Sequence, residues 1–277
     1  MCIRDRYEGG GRNVGGGLFQ CNGVIRSCTI RENTAWSGGG LYACRGPILD
    51  CLIEENTAGS GGGLYGGVQS IWPCVIRGCQ FFGNRVTKRG SAIDYGGCAL
   101  IERCMFTGNS GYTILADCHN IRDCWITRNE ATATLQSCTN ISRCYIAENV
   151  SKDGVGGLQN CGLIENCLIV DNSGAVAGAL HDCSRITFCT IVGNRATHGV
   201  GGLSECREYI KDSIVWGNSP GQVEGGVTPE HCCIEGWTEG GMGNIAADPA
   251  FLMEEDFHLR PGSPCIDRAG GADVPDD

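Results

Sequence analysis

Proline, histidine and long hydrophobic runs are all scarce in this chain of 277 residues, which contains 8 prolines and 5 histidines. No apolar run approaches the ~18 residues that a membrane-spanning helix needs, so we expect no membrane insertion by this segment. Basic residues are too few to balance the acidic ones, and the formal charge is −10. Because nucleic acid binds a basic face, we predict no nucleic-acid partner.

Glycine and cysteine are abundant instead, with 45 and 21 residues. The glycines do not recur at every third position, which excludes collagen. With 42% hydrophobic residues, the chain is also too long and too apolar for a small disulfide scaffold or a disordered tract. With these classes excluded, the composition favours a repeat protein.

A repeat of about 20 to 28 residues runs through most of the chain. Its clearest copy extends from Leu158 to Asn172, and glycines precede the leucine in many copies. The copy contains, in order, Leu158, Cys161, Ile164, Cys167, Ile169 and Asn172. The asparagine column reads Asn13, Asn33, Asn56, Asn84, Asn109, Asn129, Asn149, Asn172, Asn194 and Asn218.

The repeat lacks the spacing of a leucine-rich repeat and any helical period. It predicts an all-β fold, a right-handed single-stranded parallel β-helix (a solenoid) of short coils. Leucine, isoleucine and cysteine are expected to point inward, because side chains alternate between the two faces of a strand. Each asparagine is expected to occupy a left-handed turn position and to bond its copy in the next coil.

Three segments follow from this pattern. Residues 1–12 are unassigned and resemble a truncated or non-native start, with the true start and any export signal expected upstream. The β-helix is expected over 13–218, with an inserted surface loop at 65–73. Prolines appear after Asn218, so 219–277 is expected to be a C-terminal segment that covers the open strand edge.

The C-terminal segment contains specific motifs. They are the DPAF sequence at 248–251 and the RPGSPCID sequence at 260–267, preceded by SIVWGNS at 213–219. The stretch 13–267 resembles bacterial right-handed β-helix repeat proteins of the choice-of-anchor type, and more loosely polymorphic outer-membrane proteins. The resemblance implies export to the cell surface or the extracellular space, and attachment by an anchor further along. That family has no agreed catalytic residues, so none are transferred.

Seventeen cysteines stand in two columns of the repeat. The first is Cys21, Cys44, Cys74, Cys98, Cys118, Cys138, Cys161, Cys183 and Cys206; the second is Cys28, Cys51, Cys79, Cys104, Cys124, Cys144, Cys167 and Cys189. Their spacing does not match a zinc site, so we predict no metal. Two interpretations stay open. The columns are either disulfides within each coil, such as Cys161 to Cys167, or two ladders of buried thiols.

One residue between the second cysteine and the following isoleucine must face outward in every coil. In four successive coils it is apolar, namely Met105, Trp125, Tyr145 and Leu168. Aromatic faces stack on sugar rings, and exposed apolar patches mark interaction surfaces. The stripe is therefore a candidate binding site for a carbohydrate or a cell-surface protein, and ordinary β-propensity on an outer face is the alternative.

The best catalytic candidates are His181, Asp182 and Glu205, which fall on adjacent coils. Acidic residues of this kind perform acid and base chemistry in β-helix polysaccharide lyases and glycosidases. Solvated acidic side chains are the simpler interpretation.

The sequence thus favours a non-enzymatic adhesion or binding scaffold without a cofactor, with a carbohydrate-active enzyme as the alternative. Its oligomeric state is left open.

Overall fold

The computed structural model describes residues 2–3, 14–66, 74–94, 98–253 and 256–267. Within these ranges the regular structure consists of strands without any helix, and three long parallel sheets stack as a solenoid. The predicted parallel β-helix is therefore confirmed. The described part of the chain contains no helix that is long and apolar enough to cross a membrane. Asn13, nearly all of 1–12 and most of the expected insertion at 65–73 lie outside the described residues.

Each coil contributes strands to the sheets in a fixed order. Sheet 1 contains Leu18–Phe19, Leu41–Tyr42, Leu64–Tyr65, Ile93–Asp94, Ser110–Ala116, Glu130–Gln136, Val155–Gln159, Leu180–His181, Leu203–Ser204 and Val223–Glu224. Short additional strands pair with one another outside this series. One set is Thr34–Ser37, Thr57–Ser60 and Arg85–Val86, and the other is Ser173–Gly174 with Arg195–Ala196.

Sheets 2 and 3 follow in each coil. Sheet 2 contains Ile25–Arg26, Ile48–Leu49, Cys74–Arg77, Cys98–Glu102, His119–Arg122, Thr139–Ser142, Leu163–Glu165, Arg185–Thr187 and Tyr209–Lys211. Sheet 3 contains Cys2–Ile3, Thr29–Arg31, Leu52–Glu54, Gln80–Phe82, Met105–Thr107, Trp125–Thr127, Tyr145–Ala147, Leu168–Val170, Thr190–Val192, Ile214–Trp216 and Cys233–Ile234.

The core is the inside of the coil, where equivalent residues stack in columns. In sheet 3, Ile126, Ile146 and Ile169 are fully buried and lie in register on successive strands. Their neighbours on either side point outward, as strand alternation requires. Fully burying such a side chain stabilises the fold by about 1.5–3 kcal/mol.

Left-handed residues make the corners between sheets. Where the structure describes the residue directly before a corner asparagine or cysteine, that residue has a positive φ, as at Glu148 (55°), Arg143 (48°) and Ser137 (55°). The expectation that the asparagine itself is left-handed was therefore wrong by one position. The preceding residue reverses the backbone, and the next side chain can then turn into the coil.

The asparagine ladder is confirmed. The Nδ2 of Asn129 donates to Oδ1 of Asn149 at 2.8 Å and to the Phe106 carbonyl of the preceding coil at 2.9 Å. The backbone N–H of Asn129 donates to the same Oδ1 at 3.1 Å. The pattern repeats through Asn33, Asn56, Asn84, Asn109, Asn129, Asn149, Asn172 and Asn194. At the end, Asn218 donates to Oε1 of Gln222 at 2.7 Å, so a glutamine takes the place of the next asparagine.

The cysteine columns are two ladders of thiols, and the described cysteines form no disulfide. Each thiol occupies a corner in the way the asparagine does. The Sγ of Cys144 donates to the Ser142 carbonyl at 3.3 Å and to the Ile121 carbonyl of the preceding coil at 3.7 Å. Neighbouring thiols of one column contact each other, as Cys138 does with Cys118 and Cys161. Of the two open interpretations, the structure contains the thiol ladders.

Parallel pairing continues past Asn218. Val223–Glu224 pairs with Leu203–Ser204, and Cys233–Ile234 pairs with Ile214–Trp216. Ile245 then bonds the backbone of Cys232 and Ile234, which covers the end of sheet 3. The expected change in sequence pattern is present, but the backbone forms a further coil there. The C-terminal cap expected over 219–277 stays a prediction.

Candidate functional site

The predicted apolar stripe lies on the outer face of sheet 3. Met105, Trp125, Tyr145 and Leu168 occupy equivalent positions on four successive strands. Met105 and Trp125 are exposed, with 46% and 56% of their surfaces accessible. Tyr145 and Leu168 are half-buried. The structure thus brings the four residues together but leaves two of them partly covered.

The two aromatic rings of the stripe contact each other. The centroids of Trp125 and Tyr145 are 4.9 Å apart and their planes are inclined by 59°. Such a tilted contact is favourable because the positive edge of one ring meets the negative face of the other. The two rings therefore form an angled surface, and a flat ligand can stack on one of them at a time.

Phe257 lies beside this stripe, although it is far away in the sequence. It belongs to Asp256–Leu259, which pairs antiparallel with Phe251–Met253 to form a C-terminal hairpin. Phe257, Trp125, Tyr145 and Leu168 line one groove of about 530 Å³, together with Arg143, Cys144 and Asn166. We call this the sheet 3 groove. The hairpin thus forms one wall, and Trp125, Tyr145 and Leu168 of the stripe form the other. Met105 is not among the residues that line the groove.

Polar groups border the groove. Arg143 donates from Nε and Nη2 to the carboxylate of Asp123 at 2.7 and 3.0 Å. The hydrogen bond from Arg143 holds the pKa of Asp123 below its ordinary value, and the same bond raises the pKa of Arg143. Both groups therefore stay charged at neutral pH. The amide of Asn166 is exposed and can both donate and accept.

Two other outward residues of sheet 3 are covered. Ala147 and Val170 face outward because they alternate with the inward Ile146 and Ile169, yet both are almost fully buried. Sequence periodicity predicts the direction of a side chain but not what packs on it. For the same reason it gave no sign that Phe257 would join the site, since this residue lies outside the repeat.

A second aromatic column, which the sequence analysis missed, lies on the outer face of sheet 1. The rings of Phe19, Tyr42 and Tyr65 stack at 5.4 Å with planes inclined by 9° and 11°. Phe19 and Tyr65 lie against the two faces of Tyr42, while Phe19 itself is 51% accessible. Cross-strand packing explains this column. The rings of the sheet 3 groove differ from it because their planes are inclined by 59°.

The catalytic candidates lie at the corner between sheets 1 and 2. Nδ1 of His181 and Oγ of Ser204 are 3.2 Å apart. Asp182 forms an ion pair with Arg207, a cation of the next coil. That bond raises the pKa of Arg207. Asp182 and Glu205 occupy left-handed corner positions on adjacent coils, so both have a role in the turn.

Comparisons with known proteins add no further assignment. The chain matches no protein-family model, no curated protein and no solved structure. Within the described residues no group of three or more histidine, cysteine or acidic side chains is placed to hold a metal ion. The resemblance to bacterial surface proteins stays a prediction.

Proposed function

We propose that this protein is an exported, surface-displayed and non-enzymatic scaffold that binds a ligand in the sheet 3 groove. One observation carries the proposal. Three aromatic side chains from two distant parts of the chain, Trp125, Tyr145 and Phe257, line one groove. Core packing does not explain this arrangement, because more than half of the Trp125 surface is accessible.

The ligand that we propose is a carbohydrate. The groove volume of about 530 Å³ lies within the ~300–1,000 Å³ of small-molecule sites. A stable protein partner typically covers about 20–30 residues on each side, whereas seven residues line this groove. Sugar rings present C–H faces that stack on indole or phenol rings, and hydroxyls that bond amides and charged groups. Asn166 and the Arg143–Asp123 pair are placed to supply such bonds.

Display on a cell surface fits the remaining features. A solenoid in which each coil contacts its neighbours is a rod, and its outer faces are available along its length. The net charge of −10 opposes association with other acidic chains and favours solubility. Export and attachment are supported by the resemblance of the DPAF and RPGSPCID motifs to those of bacterial surface proteins.

The binding test uses the full chain on a glycan array, followed by titration of the strongest binder. Replacing Trp125 and Tyr145 together with alanine should weaken that binding by several-fold to about tenfold, since an aromatic pair contributes ~0.5–1.5 kcal/mol. Phe257→Ala should weaken it as well. The matched control is Phe82→Ala, because Phe82 is an exposed aromatic on sheet 3 outside the groove. Folding should survive in all of these variants.

Two results would overturn the proposal. Binding that is lost equally in Phe82→Ala would place the ligand outside the groove, and capture of proteins without any glycan would favour a protein partner. A second test addresses the alternative of a carbohydrate-active enzyme. If an acidic polysaccharide is depolymerised, and Asp182→Asn with Glu205→Gln abolishes this activity, the enzyme alternative is correct.

A further inference from the structure

Two cysteines differ from the others in their position. Among the cysteines whose side chains the structure describes, Cys233 and Cys265 stand outside the two corner columns. Cys232 extends the second column instead, because its Sγ donates to the Glu230 and Ile210 carbonyls as the other corner thiols do. Cys233 is the next residue and therefore faces the outside of sheet 3.

Cys233 and Cys265 lie against each other. Their side chains share a hydrogen bond, although 32 residues separate them in the sequence. Surrounding bonds fix this contact. The Sγ of Cys233 donates to the Ala247 carbonyl at 3.1 Å, and Oγ of Ser263 donates to the Pro249 carbonyl at 2.6 Å. The N–H of Cys265 donates to the same hydroxyl at 3.1 Å. The segment around 263–265 is thus held beside 247–249 and next to sheet 3.

We propose that Cys233 and Cys265 form a disulfide that fastens the C-terminal segment to the solenoid. The oxidant is a small-molecule disulfide. The thiolate of Cys265 attacks one of its sulfurs, which forms a mixed disulfide and releases one small thiol. The thiolate of Cys233 then attacks the Cys265 sulfur and releases the second small thiol. One small disulfide is reduced to two thiols, and the two cysteines are oxidised to one disulfide.

The geometry favours this pair over any pair within a ladder. Thiols of one column sit on neighbouring strands about 4.8 Å apart, beyond the ~3.5–4.5 Å that the β-carbons of a disulfide prefer. Cys233 and Cys265 are not on paired strands, so the strand spacing does not separate them. Cys265 is also half-buried, whereas the described ladder thiols past the first coil are buried. Small reagents therefore reach Cys265 more readily than these buried ladder thiols.

The disulfide would act on the hairpin that carries Phe257. This hairpin lies between the Cys233 contact and Cys265 in the sequence, so the bond closes a loop that contains it. We expect the oxidised protein to hold Phe257 near the sheet 3 groove more firmly than the reduced protein does. The disulfide itself does not depend on what the groove binds.

The test treats the folded, reduced full chain with oxidised glutathione, then alkylates the remaining thiols after unfolding. Peptide mass spectrometry should show Cys233 linked to Cys265, a loss of two alkylated thiols, and alkylated ladder cysteines. Cys265→Ser should remove the link and leave Cys233 unmodified. Cys232→Ser is the matched control, because Ser213 already occupies the same column and Cys232→Ser leaves the pair intact. It should retain the link.

Three outcomes would overturn the proposal. The first is that Cys233 and Cys265 are alkylated to the same extent with and without the oxidant. In the second, glutathione stays on Cys265 without transfer to Cys233. The third is a bond from Cys265 to a ladder cysteine that forms as readily as the bond to Cys233.

Discussion

The asparagine corners and the cysteine corners of this solenoid have the same backbone and different chemistry. In both, a left-handed residue precedes a side chain that turns inward and bonds the carbonyl of the preceding coil. The amide bonds of Asn149 measure 2.9 Å, whereas the Sγ of Cys144 lies 3.3 and 3.7 Å from its acceptors. An amide satisfies its neighbours with strong bonds, and a thiol fills the corner with weak ones. The asparagine therefore specifies the turn, and the cysteine mainly packs it.

The largest difference between the two kinds of corner should be in how their contribution to stability depends on alkaline pH. Burial raises the pKa of Cys44 from 9.0 to about 11 and that of Cys232 to about 12, while an amide does not titrate. Burial also raises the pKa of Cys206. The unfolded chain therefore loses these protons first. The contribution of these thiols to the free energy of unfolding is fully present below pH ~9. It falls as the pH rises, by about 1.4 kcal/mol per pH unit for each such thiol.

Urea unfolding with a reductant at pH 8, 9 and 10 measures this loss. Cys44→Ser should unfold with a shallower dependence on pH, because one titrating group has been removed. A free energy of unfolding that stays constant from pH 8 to 10 would contradict the account of the buried thiols.

Removing one amide should have the next largest effect. Asn149→Ala leaves the buried N–H and Nδ2 of Asn129 without their acceptor, which costs ~1–3 kcal/mol of unfolding free energy. Asn140→Gly is a matched control. Asn140 makes the same amide bond between coils, to Asn120 at 3.0 Å, but it is exposed, and glycine retains its positive φ. The control should change stability by less than ~0.5 kcal/mol, and equal losses in thermal melting would show that burial is unimportant.

Exchange at a cysteine corner should have the smallest effect. Ser213 already stands in the second column, where its hydroxyl accepts from the N–H of Cys189 at 3.1 Å and donates to the Lys211 carbonyl at 2.8 Å. Cys144→Ser can make equivalent bonds, so we expect a loss of no more than about 1 kcal/mol in urea unfolding. A loss larger than that of Asn149→Ala would reverse the ranking of the two corners.

The sequence was sufficient for the fold because the columns are local and repeated. The spacing from Leu158 to Asn172 contains the six repeated inward residues of a coil, and strand alternation determines which side chains lie outside. The sequence also placed Trp125 next to Tyr145, since residues at equal positions in successive coils must be neighbours.

The groove could not be predicted in the same way. Phe257 lines the same groove as Tyr145 through a tertiary arrangement that no period describes, and the ion pair of Asp182 with Arg207 depends on the path of one corner. The state of the cysteines was left open for a related reason. The spacing of Cys161 and Cys167 permits a bridge, and only the corner geometry shows that each thiol faces its own column.

The C-terminal hairpin also bears on how the rod comes apart. A solenoid whose coils touch only their neighbours can fray from its end, one coil at a time. Here the chain leaves the coil of Cys233 and returns to line a groove with residues from the coils of Trp125, Tyr145 and Leu168. The C-terminal hairpin thus links the intervening coils to one another. Unfolding from the C-terminal end must detach the hairpin first, so the last coils should unfold together as one cooperative unit.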